Sequence, residues 1–111
     1  MGVTKSNLFT EDQNQIAQYA KVLGHPARIA ILGHLLKANT CINNDLVSEL
    51  GLAQATISQH LRELKDLELI QGNIEGVSVC YCINAEKWKQ IQDTFEYFFS
   101  QFPSISTSNC C

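Results

Sequence analysis

The chain has 111 residues, 45% of them apolar, enough for one modest core and too few for two domains with a substrate cleft between them. Eight Lys and Arg stand against 11 Asp and Glu, a net charge of −3, so no general basic surface is available to grip a polyanion. No apolar run approaches the length that crosses a bilayer, which sets the expectation of a cytoplasmic protein with no membrane partner.

In chain order, Thr10-Glu11-Asp12-Gln13 is a capping-box pattern, in which Thr10 and Gln13 satisfy each other's free backbone N–H groups. Ile16, Ala20 and Leu23 follow at helical spacing, and Gly24 ends this first helix. Pro26 suits the first position of a second helix, with Ile29, Leu32, Leu35 and Leu36 as its apolar stripe. Asn43 or Asn44 caps a short third helix carrying Leu46, Val47 and Leu50, and Gly51 breaks it. The spacing of Ile57, Leu61 and Leu64 predicts a fourth helix. Two short helices joined by a tight turn containing Gly form the helix-turn-helix pattern.

Beyond it, Leu69-Ile70, a tip at Asn73-Ile74-Glu75-Gly76, and alternating Val77, Val79, Tyr81 and Ile83 predict a hairpin. Asn84 caps a last helix in which Trp88, Ile91, Phe95, Phe98 and Phe102 recur at intervals of three and four, and Pro103 stops it. The predicted fold is mainly α with a small β-hairpin, a winged helix-turn-helix in the order α-α-α-α-β-β-α. Residues 1–9 form an N-terminal extension, 10–103 the domain with its last helix, and 104–111 a polar tail ending in a cysteine pair.

On the fourth helix Gln54, Thr56, Ser58, Gln59, Arg62 and Lys65 fall off the apolar face, with His60 beside them. These side chains read and grip a duplex: Gln pairs with an adenine edge, Thr meets a thymine methyl, Arg and Lys reach guanine or phosphate. A polar face alone usually means solvation. Placed after a tight turn and before a hairpin, it is the helix that enters the major groove, with Asn73 of the wing beside it. The aromatic spacing of the last helix matches a coiled-coil seam and points to a dimer interface through Trp88, Ile91, Phe95, Phe98 and Phe102. No nucleophile, base and orienting group are arranged for catalysis, and no glycine-rich phosphate loop is present, so no enzyme is expected.

Three stretches carry a family resemblance. "LGHPARIAIL" at 23–32, "DLVSELGLAQATISQHLRELKDLELI" at 45–70 and "EGVSVCYCI" at 75–83 resemble the second helix, the helix-turn-helix and the wing of the ArsR-type (arsenic-repressor) transcriptional regulators. The resemblance implies a homodimer on a palindromic double-stranded DNA operator, repressing until an inducer binds. It implies that Gln54, Thr56, Ser58, Gln59 and His60 meet DNA, and that the first and last helices form the dimer interface, which adds Ile16 and Tyr19. Within the DNA-reading helix and the wing the sequence departs from the family in two places. Ala53 stands where a Ser commonly caps the recognition helix, and the wing tip carries Glu75 where Arg is frequent.

Five cysteines, at 41, 80, 82, 110 and 111, form no C-x-x-C pair, and reduced thiols are expected. The family's arsenic box on the third helix, Cys-Val-Cys-(Asp/Glu)-Leu, aligns with Ile42-Asn43-Asn44-Asp45-Leu46 and lacks both cysteines. No His follows residue 60, which disfavours the family's zinc site on the last helix. Vicinal Cys110-Cys111, with Cys41, suit a soft ion such as arsenite as inducer. A redox or persulfide switch is the alternative within the same fold. An acidic winged-helix interaction module that does not bind DNA is the alternative from another class. Cys80 and Cys82, on the wing strand, are a second candidate metal site, but their replacement by Ser is expected to leave the response unchanged; the alternative for all five cysteines is small apolar filling.

Overall fold

The computed structural model describes residues 8–38, 50–74 and 80–102. Among them, four helices and a two-stranded antiparallel hairpin follow one another as α1 (Glu11–Leu23), α2 (Pro26–Ala38), α3 (Gln54–Asp66), β1 (Ile70–Asn73), β2 (Cys80–Ile83) and α4 (Ala85–Ser100). α3 and α4 correspond to the expected fourth and last helices. The expected third helix lies outside the described residues except for Leu50, which is helical and packs against the core. No helix among the described residues is long and apolar enough to cross a membrane.

Local chemistry sets the helix ends. The Thr10 hydroxyl accepts from the Gln13 N–H, and the Gln13 side chain accepts from the Thr10 N–H, both at 3.1 Å, closing the capping box. α2 starts on Pro26, and the His25 ring Nδ1 accepts from the Ala27 N–H at 3.2 Å. Asn84 caps α4 by accepting from the Glu86 and Lys87 N–H groups. Ala53 makes no side-chain cap for α3, which leaves first-turn N–H groups to water or an incoming anion.

α3 ends in a Schellman motif: the Glu68 N–H donates to the Lys65 carbonyl at 2.8 Å and the Leu69 N–H to the Leu64 carbonyl at 3.1 Å. The left-handed residue in it is Glu68, with φ 68°, a conformation usually left to Gly or Asn. Nothing in the apolar spacing signalled this. Replacing Glu68 with Gly removes a left-handed penalty and is expected to raise stability by about 1 kcal/mol, read by chemical denaturation. A loss of stability would mean that the Glu68 side chain holds a contact worth more than its backbone strain.

In the hairpin, Ile70 pairs with Ile83, Gln71 with Cys82, Gly72 with Tyr81 and Asn73 with Cys80. Ile57, Leu61 and Leu64 of α3 are buried as their spacing demands, together with Leu69, Ile70 and Tyr81 of the hairpin and Ile31, Leu32 and Leu35 of α2. The α2 stripe differs from expectation: Ile31 is fully buried, while Ile29 and Leu36 are 52% and 55% exposed. α2 is apolar on more than one side, so spacing could not choose the inward one. Ile74, expected at the hairpin tip, is buried. Residues 75–79 lie outside the described residues.

The last helix divides its aromatic stripe. Ile91 is buried and Trp88 and Phe95 pack partly against the core of the same chain. Tyr19 of α1 is also buried, its ring 6.4 Å from that of Phe95 and under the Lys87 ammonium. Tyr19 and Ile91 therefore leave the expected dimer surface, because α1 and α4 pack on each other within one chain. Ile16 is half-buried beside a groove between these helices. Tyr97, Phe98, Phe99 and Phe102 remain more than half exposed.

Candidate nucleic-acid interface

α3 sits with one apolar face on α2 and β1 and presents the other outward. Gln54, Thr56, Gln59, Arg62 and Lys65 are exposed, and Ser58 is half-buried. These side chains brace one another along the helix. Gln54 donates to the Ser58 hydroxyl at 3.2 Å, Arg62 donates to Gln59 Oε1 at 3.2 Å, and Gln59 Nε2 donates to Glu63 at 3.3 Å. Such i,i+3 and i,i+4 contacts are weak and exposed, so base edges can replace them at little cost. Gln59, at the centre, has both a donor and an acceptor in use, the pair an adenine edge would engage.

Lys65 does more than face solvent. Its ammonium donates to the Gly72 carbonyl at 2.6 Å and ties the C-terminal end of α3 to β1. Helix and wing are thereby held in a set relation, and among the described residues this contact uses one of the three ammonium protons. Asn73 is exposed at the end of β1. Of the sequence-expected set, Gln54, Thr56, Gln59, Arg62, Lys65 and Asn73 are exposed, Ser58 is half-buried and His60 is buried.

His60 is buried, with 7% of its surface exposed, and its Nδ1 accepts from Arg28 Nε at 3.1 Å. It is no part of the exposed polar face. The reason was present in the spacing, since positions 57, 60, 61 and 64 are i, i+3, i+4 and i+7 on one side of a helix. Burial first, then the neighbouring His25 and the Arg28 guanidinium, hold the His60 imidazole below its usual pKa, against a weaker pull from Glu63. Arg28 was not anticipated as a partner, because it is a lone cation inside an apolar helix segment.

The thiols differ from expectation at one position. Cys80 is disulfide-bonded, so it is neither a reduced thiol nor a simple filler. Cys82 is free and half-buried, with Gln71 Nε2 at 3.9 Å from its sulfur. Cys41, Cys110 and Cys111 lie outside the described residues, as do residues 1–7 of the expected N-terminal extension and the tail. Among the described residues no group of three or more His, Cys, Asp or Glu is placed to hold a metal ion.

Comparison with known proteins agrees with this geometry. Residues 25–71, from the cap of α2 through α3 to β1, match the family described as bacterial regulatory protein, arsR family. The chain is 31% identical over 71 residues to the transcriptional repressor PagR of Bacillus anthracis, covering 64% of this chain and 71% of PagR. It is 30% identical over 83 residues to the HTH-type transcriptional regulator NmtR of Mycobacterium tuberculosis, covering 75% of this chain and 68% of NmtR. With the HTH-type transcriptional repressor SmtB of the same species it shares 36% identity over 61 residues, 55% of this chain but only 44% of SmtB. These relatives are regulators and not enzymes. A polar-faced helix after a tight turn, a hairpin tied to its end, and these similarities together place the chain in the arsR family of bacterial regulatory proteins, as a helix-turn-helix transcriptional regulator.

Proposed function

We propose that the protein is a sequence-specific repressor that binds a palindromic operator as a homodimer and leaves it when a thiol-reactive inducer arrives. The observation that carries the reading is the division of α3 into a buried apolar face and an exposed face of Gln54, Thr56, Gln59 and Arg62. Support for the dimer comes from Tyr97, Phe98, Phe99 and Phe102, since monomers rarely expose so large an apolar patch. An apolar groove of about 420 Å³ lies at the other end of α4, lined among others by Ile29, Leu36 and Trp88. In an antiparallel pairing of two α4 helices, the aromatic end of each meets the grooved end of the other, which gives a closed, self-complementary contact.

The binding test is a titration of the full chain against its own upstream DNA and against random duplex of equal length. Specific DNA is preferred, and Gln59→Ala reduces that preference by about 1–3 kcal/mol without changing the far-UV spectrum. Equal affinity for both duplexes would replace this reading with a winged-helix interaction module. For the inducer, we propose arsenite or another soft metal ion, or a redox or persulfide-forming agent, acting on the reduced thiols among Cys41, Cys110 and Cys111. Cys80 in a disulfide favours the second. Addition of each agent to the preformed complex separates them, and Cys110→Ser with Cys111→Ser abolishes the release if the tail thiols respond.

A further inference from the structure

Arg28 joins three elements through one guanidinium. Its Nε donates to His60 Nδ1 in the middle of α3 at 3.1 Å, and its Nη1 donates to the Val22 carbonyl near the end of α1, also at 3.1 Å. Arg28 itself belongs to the first turn of α2. The exposed ring of His25, in the connection between α1 and α2, lies against His60 with centroids 4.3 Å apart and planes tilted by 59°. A ring nitrogen accepts a hydrogen bond only when it carries no proton. The Arg28 contact therefore requires a neutral His60 with its proton on Nε2.

We propose that Arg28 and His60 are the positioning pair of the DNA-reading unit: neutral His60 seats α3 on α2, and a proton on Nδ1 unseats it, so operator affinity falls in acid. The proposal rests on α3 being the helix that reads DNA. A proton on Nδ1 removes the only acceptor Arg28 Nε has on that ring and sets two cations 3.1 Å apart in a half-buried place. The charged and titratable groups facing His60 are Arg28 from α2, His25 from the connection and Glu63 from α3 itself. The first two oppose the proton and Glu63 favours it. With the folded pKa depressed, the folded state binds fewer protons than the unfolded one just below pH 6.5. The contribution is therefore complete above about pH 6.5 and is lost as pH falls beneath it.

The sign separates this device from ordinary electrostatics. Exposed histidines near phosphate gain charge in acid and tighten DNA binding, whereas an unseated α3 weakens it. The experiment measures affinity of the full chain for its upstream duplex between about pH 7.5 and 5.5 at constant ionic strength, with far-UV spectra at each pH. Wild type is expected to weaken severalfold across this range. His60→Asn, whose amide oxygen accepts from Arg28 at every pH, keeps the neutral-pH affinity and shows no such slope. His25→Asn retains it. Constant or rising wild-type affinity in acid, or an unchanged slope in His60→Asn, would overturn the proposal. Hydrogen exchange on the wild type gives a second arm that needs neither DNA nor a variant. Relative to intrinsic rates, α3 amides lose protection in acid while α4 amides do not, and equal protection of α3 at both pH values also rejects the pair. Absence of operator binding at neutral pH would count against the DNA-reading function instead, and the exchange arm would still decide the pair.

Discussion

Gly72→Ala is expected to lower the stability of the domain by about 3 kcal/mol, a fall of about 15 °C in Tm for a chain of this size. Gly72 has φ 114°, which L side chains rarely adopt, and it sits in β1 opposite Tyr81. A Cβ at this position would overlap the Cys80 carbonyl oxygen and stand 2.8 Å from Tyr81 Cα. Both obstacles are backbone of the paired strand, so relief requires the hairpin to open. Opening it would also release the Lys65 contact to the Gly72 carbonyl, and Tyr81, 1% exposed, would lose its cover. Gly33→Ala is the matched control. A Cβ there meets nothing within 4 Å, and Ala is the better helix former, so that variant gains about 0.5–1 kcal/mol. Thermal denaturation of the two proteins checks both signs. Equal stability of Gly72→Ala and wild type would mean that the hairpin bends freely at this point.

The second large effect is expected from Phe98→Glu. Phe98 is 53% exposed in the single chain and stacks edge-on with Phe99, 5.3 Å between centroids. A carboxylate there leaves the monomer core untouched but puts a charge in the centre of the proposed interface, where burial without a partner is costly. Because the contact is self-complementary, each dimer would meet the charge twice. The variant should sediment as a folded monomer, and its operator affinity should drop by about a hundredfold or more once two half-sites are no longer bridged. Phe95→Glu makes the contrast. Phe95 packs partly against the core and against Tyr19, so that substitution damages the fold itself. A Phe98→Glu protein that sediments as a dimer with unchanged affinity would move the interface off the end of α4.

Much of the architecture was written locally. The capping box at Thr10 and Gln13, Pro26 at the head of α2, Asn84 as a cap and the inward set Ile57, Leu61 and Leu64 each follow from a few neighbouring residues, and each is present. The same local logic located the exposed polar face of α3, because a side chain opposite a buried stripe has only solvent or a partner to meet. The family resemblance of 23–32, 45–70 and 75–83 was legible for the same reason: it resides in contiguous motifs.

Other features were decided only when the elements packed. His60 sits among polar neighbours on α3, yet its spacing with Ile57, Leu61 and Leu64 puts it inward, and its partner Arg28 stands 32 residues away. No local pattern links two polar residues so distant; α2 must first lie on α3. The aromatic row of α4 has one period along its whole length, yet its first half is covered by α1 and the core while its second half stays bare. Periodicity states that a face is apolar, and only the neighbouring helices determine which part of that face they cover. Ile29 and Leu36 show the same limit on α2, where apolar residues occupy more than one side. Glu68 completes the set. Its left-handed backbone arises because Leu64 and Leu69 must both reach the core across a helix end, and that demand overrides the residue's own preference.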